Sequence, residues 1–300
     1  MKGFKPEGVI PPLVTPMRSD GELNEEAIPV LVDHVIKGGV HAIFALGSQS
    51  ESFALSFEEK RRVVERVMEA VDGRVPVLVG VGMITTRETL RMIRLANELG
   101  ADAVTVMTPY FITPSQEELY DHFHAAAQEA GDTPVLLYNN PQRTHVNLDP
   151  ETVARLAELD NVVGMKESSG DLMLTMRYID ATRGMDFSVL MGNDALLFAG
   201  LMIGAVGAVS ASANAFPRLV VRIYEEAKAG RINEARELQY KLLKFRVAFA
   251  SLGTFPVVVK EAMEMLGLPA GPPRLPVKPL DDESRRKLES IVKELKEVEG

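Results

Sequence analysis

The chain has 300 residues, 46% apolar and 25% charged, with a formal net charge of -9 and no cysteine. That balance supports a large buried core and excludes an intrinsically disordered chain, whose low hydrophobicity cannot offset the entropy of ordering. The missing cysteines exclude disulfides, thiol nucleophiles and thiolate metal sites, and the acidic balance argues against nucleic acid, which needs a basic face.

No apolar run approaches the roughly 18 residues of a membrane helix. The start, Met1-Lys2-Gly3-Phe4-Lys5-Pro6, lacks the apolar stretch of a secretory signal. The expectation is a cytoplasmic protein that meets neither membrane nor nucleic acid.

Eight short apolar runs follow one another: Gly8 to Ile10, Val40 to Leu46, Val75 to Val81, Ala103 to Met107, Pro134 to Tyr138, Val162 to Lys166, Phe187 to Met191 and Val206 to Ser210. Most are continuous rather than alternating, as in parallel strands buried on both faces. Helical patterns lie between them. Glu58 to Val71 puts Val63, Val64, Val67 and Val71 on one face, and Thr86 to Leu99 turns Leu90, Ile93 and Leu95 inward. Gln116 to Ala130 starts behind Ser115, an N-cap, with Glu117 and Glu118 set against the helix dipole.

Eight strand–helix units in about 225 residues predict an α/β fold, the (β/α)8 TIM barrel. A doubly wound sheet is the competing architecture. Its glycine-rich nucleotide turn cannot be built from Pro11-Pro12-Leu13-Val14-Thr15-Pro16, which follows the first run. Beyond residue 228 the texture changes to helices over Glu234 to Ala250 and Pro256 to Leu266, a stiff stretch from Pro269 to Pro276, and an amphipathic helix from Asp281 to Glu297. The expected organisation is a barrel over residues 1–228 with a C-terminal helical extension over 229–300.

In such a barrel the chemistry sits where strands end. Lys166 closes the run Val162-Val163-Gly164-Met165, whereas the other lysines lie in helices, near termini or in the late linker. An amine between apolar walls loses hydration, which disfavours its charged form and suits a Schiff-base nucleophile. The alternative is a lysine that snorkels to solvent or pairs with Glu167 or Asp194. Tyr138 ends the preceding run, either as a proton shuttle beside that amine or as a packed ring with a satisfied hydroxyl. Gly47-Ser48-Gln49-Ser50-Glu51 after the second run is a cradle for an anion or simply a tight turn.

The five histidines form no metal constellation. His122 and His124 are two apart and point to different helix faces. His34 and His41 read as structural. His145 is a loop histidine, solvated or touching substrate. No metal and no cofactor are expected.

Val162-Val163-Gly164-Met165-Lys166-Glu167-Ser168-Ser169-Gly170-Asp171 resembles the Schiff-base lysine signature of the dihydrodipicolinate synthase/N-acetylneuraminate lyase family. Leu137-Tyr138-Asn139-Asn140-Pro141 is similar to that family's tyrosine motif, and Gly47 to Glu51 to its pyruvate-carboxylate loop. Thr108-Pro109-Tyr110-Phe111, Gly192-Asn193-Asp194 and Gly207 to Asn214 match in order and spacing.

The resemblance implies a tetrameric barrel, a dimer of tight dimers, and a carbon–carbon or carbon–oxygen lyase working through a covalent imine between Lys166 and pyruvate. Tyr138 would relay protons. Ser48 and Gln49 would hold the pyruvate carboxylate, with Val209 and Tyr110 lining the pocket. Arg143 matches the arginine that grips the carboxylate of the aldehyde partner, pointing to condensation of pyruvate with a short aldehyde acid such as aspartate semialdehyde. Three departures stand out: Gln49 and Ser50 in the loop, and Phe111 where a partner-reaching tyrosine stands. They favour the alternative of an aldolase or dehydratase for a 2-keto-3-deoxy sugar acid; an N-acetylneuraminate lyase-like activity is a further alternative, though those lyases generally lack an arginine at the place of Arg143. A barrel that only binds a keto acid is a third reading, disfavoured because a pure binder needs neither Lys166 nor Tyr138.

Overall fold

The computed structural model describes residues 4–299. Its strands are β1 Gly8–Ile10, β2 Ile43–Ala45, β3 Val77–Gly80, β4 Ala103–Met107, β5 Val135–Asn139, β6 Val162–Glu167, β7 Ser188–Met191 and β8 Gly207–Val209. They form one sheet in the order β1-β8-β7-β6-β5-β4-β3-β2. Neighbours from β3 to β8 pair in parallel. A parallel bridge between Pro12 and Phe44 carries the chain beyond β1 onto β2. The fold is a (β/α)8 barrel. Each of the eight apolar runs coincides with a strand, β5 and β6 extending one residue beyond theirs, and the strands are buried along nearly their whole length, as both-face burial requires.

Contacts within the chain divide it into two compact units. One holds residues up to Gly8 with Pro76–Val209, and the other holds Val9–Val75 with Ser210 onward.

In the first unit the helix Gln116–Ala130 is fixed by a capping box. Ser115 accepts from the Glu118 N–H, and the Glu118 carboxylate accepts from the Ser115 N–H. The helix Thr86–Glu98 buries Thr89, Met92, Ile93, Leu95 and Ala96. Leu90, expected inward, is only half-buried. The stripe runs through 89, 92, 93 and 96, and Thr89 can join it because its hydroxyl accepts from the Met83 N–H at 3.1 Å. His122 is buried with Nδ1 at 2.9 Å from the Thr86 hydroxyl, and burial lowers its imidazole to about 4. His124 stacks on Tyr120.

Gly192, just after β7, donates its N–H to the Glu167 carbonyl, and a Cβ there would lie 1.8 Å from the Ser168 hydroxyl. Only glycine lets the chain pass so close to the end of β6.

In the second unit Ser56 and Glu59 form a capping box for the helix Phe57–Val71, which buries Val63, Val64, Val67 and Val71. His41 accepts from the Val9 N–H, and burial lowers His34 against the carbonyls of Ala215 and Asn214. The late helices span Ile232–Ser251, Val257–Met265 and Asp282–Glu299, each within two residues of its expected limits. The last buries Leu288, Val292 and Leu295, and its Glu299 carboxylate accepts from the Arg218 and Leu219 N–H groups.

Candidate active site

Parallel pairing places Tyr138 of β5 directly opposite Lys166 of β6. Neighbouring strands lie about 4.8 Å apart, so the ladder itself sets the separation of the two side chains. Lys166 Nζ lies 4.1 Å from the centre of the Tyr138 ring. Both residues are 4% exposed. A ring face stabilises a nearby cation by about 0.5–2 kcal/mol. An iminium formed on Lys166 would carry its charge against the same face.

Hydrogen bonds fix the strand ends around the pair. The Asn140 side chain donates to the Tyr138 hydroxyl at 2.9 Å. The Asn140 carbonyl accepts from the N–H groups of Arg143 and Thr144, and Thr108 donates to the Thr144 hydroxyl at 2.9 Å, linking the loops after β4 and β5. Glu167 is 1% exposed and accepts from Asn139 at 2.8 Å and from the Ser169 N–H at 2.5 Å. Burial pushes its carboxyl above the usual range. Asn139 also accepts from the Leu148 N–H, and Tyr178 donates to the Leu148 carbonyl at 2.5 Å. Burial raises the Tyr178 phenol far above its ordinary value.

Arg143 is exposed in the short helix Pro141–Thr144. Tyr110 is half-buried, which raises its phenol. Phe111 is 91% exposed with φ 74°, a left-handed backbone that a bulky residue rarely adopts. Val209 is buried at the end of β8. The hydroxyls of Thr105 and Ser168 are buried without a hydrogen-bond partner.

In the second unit the turn Ser48–Ser50 follows β2. Ser48 is half-buried, and Gln49 is 3% exposed with neither amide atom hydrogen-bonded. Burying an amide without partners is costly, and a ligand would relieve that cost. Ser50, where the resemblance has glycine, donates to the Leu13 carbonyl, and Thr15 donates to the Ser50 carbonyl.

Lys166 and Tyr138 are thus brought together within one unit, and Ser48 and Gln49 share one turn in the other. Sequence reasoning overlooked Asn140, the Asn139–Glu167 pair, and a second buried lysine, Lys260, which bonds Glu51. Lys260 closes the run Val257-Val258-Val259, the same signature that singled out Lys166. Counting it among ordinary helix lysines hid it.

The barrel, with a buried lysine and tyrosine paired on adjoining strand ends, defines the class: a (β/α)8-barrel enzyme. Residues 5–295 match the model of the Dihydrodipicolinate synthetase family. A 4-hydroxy-tetrahydrodipicolinate synthase from Methanopyrus kandleri is 42% identical over 295 residues, 98% of this chain and 97% of its own. The enzyme of that name from Archaeoglobus fulgidus is 39% identical, covering 96% and 98%. The structure superposes on dihydrodipicolinate synthase from Aquifex aeolicus with a TM-score of 0.92 at 35% identity, over 97% of this chain and 98% of that one. A prophage protein of the dihydrodipicolinic acid synthase family from E. coli K12, solved in complex with pyruvate, gives 0.92 at 34%, over 97% and 98%. The chain belongs to the dihydrodipicolinate synthetase family.

Proposed function

We propose that the protein is a lyase of the 4-hydroxy-tetrahydrodipicolinate synthase type, joining pyruvate to aspartate semialdehyde through an imine on Lys166 with no external cofactor. The observation that carries the reading is the buried Lys166 amine 4.1 Å from the Tyr138 ring on paired strand ends. The amine attacks C2 of pyruvate, and the carbinolamine loses water. The resulting iminium makes the C3 methyl acidic enough to lose a proton, leaving an enamine. Its C3 then bonds to the aldehyde carbon, the aldehyde oxygen takes up a proton, and the semialdehyde's amino group adds to C2 and displaces the Lys166 amine, closing the product ring and freeing the enzyme. Tyr138 is the group beside Lys166 suited to carry these protons.

Ser48 and Gln49 are the proposed holders of the pyruvate carboxylate, a role that the unsatisfied Gln49 amide supports. Arg143 is proposed to take the carboxylate of the aldehyde acid, where a fixed guanidinium fork suits a planar anion. Tyr110 and Val209 are proposed to line the pocket. Residues 229–300 are read as an extension serving the barrel of residues 1–228, since Lys260 and Arg274 both bond Glu51. A homotetramer is proposed on the resemblance and on the near-complete exposure of Phe111. Among the described residues no helix is long and apolar enough to cross a membrane, which accords with the proposed cytoplasmic location.

Gln49 favours a second reading. Its amide offers an acceptor as well as donors, and a hydroxylated 2-keto-3-deoxy sugar acid would use both. Incubation with pyruvate and borohydride followed by mass spectrometry tests the shared chemistry. An adduct is expected on Lys166 and absent in Lys166→Ala, and its absence in the parent protein refutes the imine. Turnover of pyruvate with aspartate semialdehyde, against cleavage of 2-keto-3-deoxygluconate and N-acetylneuraminate, separates the two readings.

A further inference from the structure

The second buried lysine sits in the unit formed by Val9–Val75 and Ser210 onward. The side chains of Lys260 and Glu51 are 0% and 1% exposed. Lys260 Nζ donates to Glu51 Oε1 at 2.8 Å, to the Thr15 carbonyl at 3.0 Å and to the Pro272 carbonyl at 2.8 Å. Three acceptors use all three N–H groups of an ammonium, which leaves this amine no part in covalent chemistry.

The other Glu51 oxygen accepts from the Arg274 N–H at 2.7 Å. The Arg274 side chain in turn donates to Glu59 and to the carbonyls of Gly21 and Ala54. Glu51 follows the turn Ser48–Ser50 with φ 55°, a left-handed backbone. A residue other than glycine keeps such a conformation only where its surroundings impose it. Here the surroundings are Lys260 and the Arg274 backbone.

We propose that Lys260 and Glu51 are a positioning pair for the turn Ser48–Ser50. By holding Glu51 left-handed, the pair sets the direction in which the Ser48 hydroxyl and the Gln49 amide are presented to a keto-acid carboxylate. The proposal rests on the reading of Ser48 and Gln49 given above. It differs from a purely structural role in one respect: loosening the pair should weaken recognition of the carboxylate and leave the Lys166 amine intact.

The test uses Glu51→Gln, Lys260→Met and the double variant, each followed by thermal melting and by borohydride trapping against ketone concentration. Pyruvate and acetone are compared, because acetone forms an imine without offering a carboxylate. Removing one partner strands a buried charge, so the double variant, which buries neither, is expected to melt closest to the parent. In every folded variant, half-maximal trapping should need about tenfold more pyruvate. The saturating yield and the acetone curve should stay as in the parent. A folded double variant whose pyruvate requirement is within twofold of the parent overturns the proposal, as does an equal loss with acetone. Failure of all three variants to fold also overturns it, since the pair would then only hold the unit together. No adduct at all in the parent is a different result and removes the imine reading itself.

Discussion

The Asn140 side chain donates to the Tyr138 hydroxyl at 2.9 Å. A phenol that accepts there must direct its own proton elsewhere. If it gives that proton up, the phenolate keeps a donor already in place. Replacing Asn140 with leucine removes the donor at similar volume. The expected result is a loss of about 10- to 100-fold in kcat and a shift of the phenol-dependent limb of the kcat–pH profile to higher pH. The Lys166 adduct should still form fully at saturating pyruvate. A profile that does not move would show that Asn140 merely packs.

Arg143→Ala separates the two substrates. A charged hydrogen-bonded pair contributes about 1.5–3 kcal/mol, so KM for the aldehyde acid should rise by about 10- to 100-fold. Trapping of pyruvate on Lys166 should stay within about twofold of the parent. Equal losses in the two measurements would end the role proposed for this arginine.

The Glu59 carboxyl is held down at about 2, chiefly by the Arg274 hydrogen bond. A carboxyl whose folded pKa is depressed contributes stability above its unfolded value, and that contribution is lost as pH falls through the folded one. Arg274→Met should therefore lower Tm at neutral pH, and the gap from the parent should narrow between about pH 4.5 and pH 2. Melting curves across that window check the sign. A gap that stays constant would assign the effect to packing.

Ser115→Ala removes one half of the capping box on the helix Gln116–Ala130. The expected cost is about 1 kcal/mol, or a few degrees in Tm. Pyruvate trapping should be unaffected, because Ser115 is exposed and outside the loops that hold Tyr138.

Much of the fold could be read in advance because most strands lie in continuous apolar runs, and the helix that follows Ser115 announces its start by composition alone. Lys166 and Tyr138 stood out for a related reason, as polar residues that close apolar runs. What stayed hidden depends on contacts distant in sequence. Nothing local says that Asn140, rather than Asn139, meets the Tyr138 hydroxyl, since the turn at Pro141 decides which of the two amides bends back. Leu90 shows the same limit at smaller scale. A hydrogen bond to Met83 made Thr89 the better buried neighbour, and periodicity counts side chains without counting their partners.

The bond from Lys260 to Glu51 joins residues 209 apart in the chain. During synthesis at about 5–20 residues per second, the glutamate waits roughly 10 to 40 s for its lysine. The amine of β6 is made well before Lys260. A nascent chain therefore carries Lys166 before Lys260 and Arg274 arrive to hold Glu51. On the roles proposed above, a chain cut short before Lys260 would keep the amine of β6 and lose only the hold on Glu51, and so would bind a keto acid more weakly than the full chain.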